Sequence, residues 1–403
     1  MLKKSLLLLI SVAAAIFVCH ESSAAPAAKN NAKPAVKAAE KPAAKPAEKP
    51  AAKPAAVPHP ALTASGSWTM VVVPDTQTYI KQIENNGILD MMMAWIVRRR
   101  EEMNIQQVLF TGDLVYSNDA DAVHREKGVR FAGNGRLRDL IADEQWKAFS
   151  RIVTRLDGEL PYILCTGNHD HGYFSAENRD SNFNKFFPTD RNPLTRRQLI
   201  ACALNGSGVR SLENAAYEFT APAPDGRKFL VFAMQFAPSD ETLRWAKSIA
   251  DQPRFADHIG IVLTHSYMYA TGKRIEHEAY PVYKMGGNSG ENIFRKLVYP
   301  SKNIRIVICG HVCSPDKWES SVGFSMAKNS AGKNVAQMVF NTQAIGGGFS
   351  GNGGDGWLRL LEFMPDRKTI KATTFSPFFF GSTSTQHLAW KTDSRNCFTF
   401  TLD

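Results

Sequence analysis

Side chains that can bind metal ions recur at five places along the chain, each directly after a short apolar run. The five segments are PDTQ with Asp75 and Gln77, TGDLV with Asp113, TGNHDHG with Asn168, His169, Asp170 and His171, LTHS with His265, and CGHVCS with His311 and Cys313. Carboxylate, imidazole and thiolate groups are common protein ligands of transition metals, and amide oxygens serve harder ions. The chemistry that these residue types predict is metal coordination, provided that the fold brings the segments together.

Each segment has an ordinary interpretation when it stands alone. A histidine after a strand usually packs through a hydrogen bond, a Gly-Asp pair usually forms a turn, and a lone cysteine is most often a small buried residue. His311 and Cys313 could therefore be metal ligands, half of a disulfide, or core residues. The coincidence of five such segments favours the metal site.

The elements that must position these residues are short apolar strands alternating with amphipathic helices. The sequence predicts strands at 70–73, 108–110, 162–165, 259–263 and 304–309, and helices at 87–102, 143–157 and 240–250. This alternation is typical of a layered α/β or α+β fold. Sites in open α/β sheets lie at the carboxyl ends of the strands, which is where the five segments fall.

The five segments resemble the motifs of the calcineurin-like metallophosphoesterases. The family pattern is Asp-x-His, Gly-Asp, Gly-Asn-His-Asp/Glu, a lone His and Gly-His-x-His, and the order and spacing from Asp75 to Cys313 fit it. The opening PDTQ, the segment NKFFP at 184–188 and GWLRLLEF at 356–363 are similar to an exported branch of that family.

The resemblance implies an α/β (α+β) sandwich of two mixed β-sheets flanked by helices, with a dinuclear metal site at the strand ends. It implies two divalent or trivalent ions, with zinc, iron or manganese expected. Asp113 corresponds to the carboxylate that bridges the ions. One ion would be completed by Asn168, His265 and His311, and the other would include Asp75.

Two positions depart from the family pattern. Gln77 replaces a histidine, although glutamine is usual in the PDTQ branch, and Cys313 replaces the last histidine. Both side chains keep a donor atom, and a thiolate would favour zinc or iron. Cys313 either binds the second ion or leaves that site weak or open to water.

The resemblance also implies a reaction, the hydrolysis of a phosphomonoester or phosphodiester by hydroxide held between the ions. His169 would donate a proton to the leaving oxygen, and Asp170 would orient the His169 imidazole and raise its pKa. His171 is expected at the surface, and Tyr79, Tyr116 and Tyr267 would either flank the pocket or pack at strand ends. The expected substrate is a phosphorylated small molecule, lipid or cell-wall component.

The first 65 residues have a composition unlike the remainder. Residues 1–24 carry two lysines, an apolar stretch and small residues before Ala24, as in a signal peptide, so we expect export to the periplasm or the cell exterior. Lipoprotein anchoring at Cys19 is disfavoured, because Val18 stands where a small residue is expected. Residues 25–65 are predicted to be a disordered Lys/Pro/Ala-rich linker, and residues 66–403 to be one catalytic domain.

The charge lies mostly in this N-terminal region. The chain has a formal net charge of +10, and residues 26–64 hold seven lysines and two glutamates. The domain is therefore only weakly basic, so specific nucleic-acid binding is not expected. The lysine-rich segment is either a spacer or an arm that binds an anionic envelope polymer. Six cysteines in 403 residues do not indicate a disulfide scaffold.

Two alternatives remain beside phosphoester hydrolysis. One is a catalytically weak envelope-binding module that uses the Lys-Pro-Ala arm, and the substitution at Cys313 favours it. The other is a pyrophosphatase-type hydrolase of nucleotide-sugar or lipid diphosphates. The sequence predicts no oligomeric state, and residues 335–403 read as strands that complete the second sheet.

Overall fold

The structure, a computed structural model, describes residues 57–120 and 140–402. The strands are β1 (Trp68–Val73), β2 (Ile105–Phe110), β3 (Tyr162–Leu164), β4 (Leu199–Leu204), β5 (Arg210–Thr220), β6 (Lys228–Ala233), β7 (Ile259–Leu263), β8 (Ile304–Cys309), β9 (Val322–Lys328), β10 (Asn334–Phe340), β11 (Leu358–Phe363), β12 (Thr369–Phe375), β13 (Trp390–Lys391) and β14 (Phe398–Thr401). The α-helices are α1 (Gln77–Lys81), α2 (Asn86–Arg99), α3 (Ala142–Val153), α4 (Phe183–Phe186), α5 (Pro193–Gln198), α6 (Asp240–Ala250), α7 (Pro281–Lys284), α8 (Gly290–Ile293) and α9 (Pro377–Phe380).

The strands form two mixed sheets. The first has the order β13-β12-β11-β1-β2-β3, with β14 beside β12, and the second has the order β4-β5-β6-β7-β8-β10-β9. In the first sheet β1, β2 and β3 are parallel, and in the second β6, β7, β8 and β10 are parallel. The carboxyl ends of these parallel strands carry the five polar segments.

The sheets pack face to face around an apolar core. Along β1, Met70 and Val72 join the cluster that holds residues of both sheets, whereas Val71 and Val73 face α2 and α3. Successive strand residues point to opposite faces, so a strand covered on both faces is apolar throughout. A third cluster packs α6 on the outer face of the second sheet. The predicted two-sheet sandwich with outer helices is confirmed.

The predicted helices are also present, and their amphipathic pattern explains them. In α3 the side chains of Trp146, Phe149 and Ile152 share one face and are buried against the first sheet. In α6 the Ser239 hydroxyl accepts a hydrogen bond from the Thr242 backbone N–H, which satisfies a free donor at the helix start.

The expectation that residues 335–403 complete the second sheet is wrong for most of this stretch. Only β10 joins the second sheet, where it lies beside β8. β11 pairs antiparallel with β1, and β12 and β14 extend the first sheet from there. Strands buried on both faces carry no pattern that tells one sheet from the other, so the sequence did not predict the crossover.

Residues 57–65, assigned to the linker from the sequence, lie against the domain. The Pro58 carbonyl oxygen accepts a hydrogen bond from Trp390 Nε1 at 3.0 Å, and Thr63 donates to the Glu362 carboxylate at 2.6 Å. The predicted signal peptide and the linker up to residue 56 lie outside the described residues. Within the residues that are described, no helix has the length and apolar character needed to cross a membrane.

Candidate metal centre

Four side chains from the two sheets meet at one place, where three of them surround Nε2 of the fourth, His265. This atom lies 3.1 Å from Asn168 Oδ1, 3.2 Å from Asp113 Oδ2 and 3.1 Å from His311 Nδ1. Asp113 and Asn168 follow β2 and β3 of the first sheet, and His265 and His311 follow β7 and β8 of the second. The fold therefore brings together four of the residues predicted to bind metal.

The hydrogen bonds of the two histidines fix which ring nitrogen faces this point. His265 Nδ1 lies 2.8 Å from the Thr111 carbonyl oxygen and must donate to it, so Nε2 of the neutral ring is an acceptor. His311 Nε2 lies 2.7 Å from Glu278 Oε1, which leaves His311 Nδ1 as the acceptor. Both rings thus direct a lone pair to the same place.

Asn168 and Asp113 direct oxygen atoms there as well. The Asn168 amide nitrogen donates to Ser175 Oγ at 2.8 Å, so its Oδ1 faces the histidines. Four acceptor atoms that face one another in a buried place repel unless a cation lies among them. Ligand atoms of Asp113, His265 and His311 lie within 4.8 Å of one another, and a carboxylate, two imidazoles and an amide oxygen suit zinc, manganese or iron.

The electrostatics of the protein without metal agree with this reading. Burial acts to lower the pKa of His265, but the carboxylates of Asp113 and Asp75 raise it to about 10. Burial acts to raise the pKa of Asp113, but the imidazoles of His265 and His169 hold that pKa below its usual range. A proton on His265 thus takes the place of a cation, and metal binding must release it.

The backbone at the centre is held in unusual conformations. Asp113 and His311 have φ values of +47° and +70°, a region that residues other than glycine rarely adopt. A Cβ atom on Gly310 would lie 2.0 Å from Asp75 Oδ1, so no other residue fits there. Gly310 therefore allows Asp75 to approach the loop that carries His311.

Asp75 lies beside this group rather than within it. Its Oδ1 accepts a hydrogen bond from Thr111 Oγ1 at 2.9 Å and lies 4.0 Å from His265 Nδ1. Its Oδ2 accepts from Asn341 Nδ2 at 2.6 Å and from the His311 backbone N–H at 3.0 Å. Burial raises the pKa of Asp75 to about 7. This position suits a ligand of a second, neighbouring ion.

The two residues that depart from the family pattern are both at the centre. Gln77 Nε2 donates to Asp113 Oδ2 at 2.8 Å, while its Oε1 is buried and has no hydrogen-bond partner among the described residues. Cys313 is a free thiol on the wall of the cleft, and burial raises its pKa to about 12. Metal binding by either residue stays a prediction.

His169 lies at the edge of the centre with its ring held from one side. Its Nδ1 is 2.7 Å from the Tyr116 carbonyl oxygen, and its ring stacks on that of Tyr116 with centroids 5.2 Å apart. Its backbone N–H donates to Asp113 Oδ1 at 3.0 Å. The group that orients this imidazole is therefore a main-chain carbonyl.

Asp170 has a different place from the one expected, since it does not contact the His169 ring. Its carboxylate accepts hydrogen bonds from the backbone N–H groups of Gly167, Leu114 and Val115 at 2.7, 2.9 and 3.1 Å. Burial raises the pKa of Asp170 to about 8, and these N–H groups act in the opposite direction. Asn168–Asp170 form a 3₁₀ turn, in which neighbouring side chains point in different directions. Asp170 instead joins the loops after β2 and β3.

A cleft of about 890 Å³ opens over the centre. Its aromatic lining residues are Tyr116, Tyr269, Tyr280 and Phe349. The candidate residues that line it are Gln77, Asp113, Asn168, His169, His311 and Cys313. Of the three tyrosines considered from the sequence, only Tyr116 reaches the cleft, because Tyr79 and Tyr267 are fully buried. His171 is buried and bonded to Thr166 Oγ1 at 2.9 Å, so its expected surface position is wrong.

Three residues at the centre were missed from the sequence. Asn341 and Gln343 follow β10 and both contact Asp75, and Glu278 contacts His311. The first two had a usable signal, because polar residues directly after an apolar strand are the pattern of the other five segments. Glu278 had none, since it belongs to an irregular stretch between β7 and α7.

Replacing Glu278 by glutamine is expected to weaken metal binding by about 10- to 100-fold, the usual effect of losing a partner of a metal-binding histidine. Glu278 bonds His311 Nε2 and also accepts hydrogen bonds from the Ser266 and Tyr283 hydroxyls. Glutamine keeps the shape but loses the charge and one acceptor. The measurement is calorimetric titration of metal-stripped protein with Mn²⁺.

The matched control for this variant is Glu319→Gln. Glu319 lines the cleft but forms no hydrogen bond or ion pair with a candidate metal ligand among the described residues. Its metal affinity should not change. An unchanged affinity in Glu278→Gln would show that the carboxylate does not prepare His311 for a metal ion.

Known proteins are similar to this chain in sequence. The sequence model of the calcineurin-like phosphoesterase family matches residues 69–315, which include all five polar segments. The uncharacterized protein YvnB of Bacillus subtilis (strain 168) is 26% identical over 316 residues, which cover 78% of this chain and 20% of YvnB. The chain thus spans about one fifth of that relative's length.

Two solved structures are also similar. A dimetal phosphatase from Danio rerio is 11% identical, with 84% of this chain and 100% of that chain covered and a TM-score of 0.43. GAP50, the anchor in the inner membrane complex of Plasmodium, is 10% identical, with 84% of this chain and 89% of that chain covered and a TM-score of 0.42.

Proposed function

Because the chain belongs to the calcineurin-like phosphoesterase family, we propose that it is an exported, metal-dependent hydrolase of a phosphomonoester or phosphodiester. The observation that carries the proposal is the convergence of four acceptor atoms, in which oxygens of Asn168 and Asp113 and Nδ1 of His311 surround Nε2 of His265. A pair of divalent ions, when bound, supplies positive charge to phosphoryl oxygens and lowers the pKa of water.

The residues at the centre divide into two groups around Asp113. The group that would hold one ion is Asp113, Asn168, His265 and His311. Asp75 and Gln77 lie next to this group and would hold the second ion, since Gln77 Nε2 donates to Asp113 Oδ2 and Asp75 Oδ1 lies 4.0 Å from His265 Nδ1. Asp113 takes part in both groups, because its Oδ2 lies 3.2 Å from His265 Nε2 and also accepts a hydrogen bond from Gln77 Nε2 at 2.8 Å.

His169 would protonate the leaving oxygen of the substrate. It lines the cleft, and its Nδ1 faces the Tyr116 carbonyl, so the transferable proton is carried on Nε2. Stacking on Tyr116 limits rotation of the ring. The hydrogen bond from its backbone to Asp113 fixes this proton donor relative to the metal-binding carboxylate.

Export and envelope binding are the part of the proposal that rests on the sequence outside the described residues. Residues 1–24 supply the signal, and the lysines of residues 25–65 would hold the enzyme to an anionic polymer by attraction that salt screens. An intact mass that still includes residues 1–24 in protein recovered outside the cytoplasm would contradict the signal-peptide assignment.

The test of the activity is hydrolysis of a nitrophenyl phosphomonoester and a nitrophenyl phosphodiester with added Mn²⁺ or Zn²⁺. We expect turnover of at least one ester, lost in Asn168→Ala, which removes a ligand oxygen, and kept in Asn205→Ala, in the turn after β4. The ratio of the two esters narrows the substrate class.

Other outcomes of this test separate the alternatives. Faster cleavage of a nucleotide-sugar diphosphate would assign the enzyme to pyrophosphate bonds. Folded protein that cleaves none of these compounds with any metal ion would contradict the activity and favour an envelope-binding module.

A further inference from the structure

Gln343 lies at the metal centre but belongs to none of the five motifs. It follows β10, the neighbour of β8, so its strand ends beside the strand that carries His311. Its side chain is only 3% exposed, yet it lines the cleft. A sixth strand end thus contributes a polar side chain to the site.

The contacts of Gln343 hold its backbone firmly and leave half of its amide without a partner. Its backbone N–H donates to Asn341 Oδ1 at 3.1 Å, and its carbonyl accepts from Thr78 Oγ1 at 3.2 Å. The amide nitrogen faces Asp75 Oδ2 at 3.4 Å, which is a long contact. Oε1 is buried and has no partner among the described residues.

Gln77 shows the same arrangement beside Asp113. Its nitrogen faces a carboxylate, and its oxygen is buried without a partner. Buried amide oxygens are rarely left without a hydrogen bond. Other buried amide oxygens of the described residues also lack a partner, but those of Gln77 and Gln343 belong to amides that face the carboxylates of Asp113 and Asp75. This shared position points to a group that the described residues do not supply.

A cation explains both amides. Without a cation each glutamine must turn its nitrogen to the carboxylate, because oxygen facing oxygen is repulsive. A half-turn of the amide exchanges nitrogen and oxygen at little steric cost. With a cation beside the carboxylate, the oxygen becomes the favoured atom on that side, and the nitrogen moves to the place that the oxygen held.

We propose that Gln343 supplies an oxygen ligand to the second metal ion, in place of the histidine that Cys313 replaces. The ligands of that ion are then oxygen atoms of Asp75, Gln77, Asp113 and Gln343, with no sulfur. Such a set prefers a hard ion such as Mn²⁺ to Zn²⁺. The inference rests on the proposed function only in requiring two ions.

The experiment is calorimetric titration of metal-stripped full-length protein with Mn²⁺, which measures binding rather than turnover. We expect two equivalents in the unaltered protein and in Cys313→Ala. Gln343→Leu should lose the weaker equivalent or bind it at least about tenfold more weakly, and Gln343→Glu should retain it. Gln107→Ala removes a buried amide that lies in the middle of β2 and does not line the cleft, so it controls for general loss of packing.

A second readout reports on sulfur directly. In cobalt-loaded protein a thiolate ligand would add a near-ultraviolet absorption band. We expect the unaltered protein and Cys313→Ala to have the same near-ultraviolet spectrum, because Cys313 does not bind the ion. Two unchanged equivalents in Gln343→Leu, a single equivalent in the unaltered protein, or loss of an ion in Cys313→Ala would each overturn the proposal. Absence of hydrolysis by protein that binds two ions would count against the proposed function but not against this ligand.

Discussion

Replacing Asp113 by asparagine is expected to lower kcat/KM by about 10³-fold or more and to abolish the binding of two metal ions. Oδ2 of Asp113 lies 3.2 Å from His265 Nε2 and accepts from Gln77 Nε2, while Oδ1 accepts from the His169 backbone. The carboxylate therefore contacts candidate ligands of both ions and the backbone of the proton donor, His169. Asparagine has the same shape but no charge and one oxygen fewer.

The measurements are kcat/KM for the better nitrophenyl ester and the Mn²⁺ stoichiometry of the variant. Asp157→Asn is the matched control, since Asp157 bonds Tyr162 and Arg191 and lies outside the lining of the cleft. It should retain both ions and most of the activity. Two ions bound by Asp113→Asn with unchanged affinity would contradict a bridging role for this residue.

Replacing His169 by alanine is expected to have an effect that depends on the leaving group of the substrate. General acid catalysis contributes about 10²- to 10⁴-fold, and only where the leaving oxygen needs a proton. We therefore expect a loss of about 10²-fold or more with an alkyl phosphoester and a loss of less than about tenfold with a nitrophenyl ester, whose leaving group is stable as an anion. His169 makes no contact that holds Asn168, His265 or His311, so the metal content should not change.

The comparison of alkyl and nitrophenyl esters separates proton donation from a structural role. His387→Ala changes an exposed histidine and should alter neither rate. An equal loss with both esters, or a loss of bound metal, would show that His169 positions the substrate or the ions instead of donating a proton.

The sequence indicated which side chains would lie close together at the centre, because these polar side chains stand at the ends of apolar strands. A strand buried on both faces is apolar throughout, so the polar residue that ends it stands out in the sequence, as Asp113 and His265 do. Parallel strands place their carboxyl ends at one edge of each sheet. The packing of the two sheets then brings the two edges together, which the family resemblance implied and the strand pattern alone did not. Asn168 lies near Asp113 because β3 is parallel to β2, and His311 lies near His265 because β8 is parallel to β7.

The remaining contacts could not be predicted because they depend on the backbone or on residues distant in sequence. Asp170 accepts hydrogen bonds from three backbone N–H groups, and the carbonyl of Tyr116 orients His169. Every residue except proline carries both backbone groups, so the residue types give no sign of these contacts. Glu278 lies in an irregular segment whose path is set by packing. The pairing of β11 with β1 depends on which sheet edge is open, which alternating burial does not encode.

The three histidines of the centre differ in how a genetic change could disturb them. His169 and His265 are held by peptide carbonyls, of Tyr116 and Thr111, and a point mutation at either position leaves a carbonyl in place. His311 is held by the carboxylate of Glu278, which almost any mutation removes. Mutational robustness is therefore uneven across the site. Random mutagenesis should therefore remove the partner of His311 far more often than the partners of His169 and His265. Changes at positions 111 and 116 should act instead through their side chains, which bond Asp75 and stack on His169.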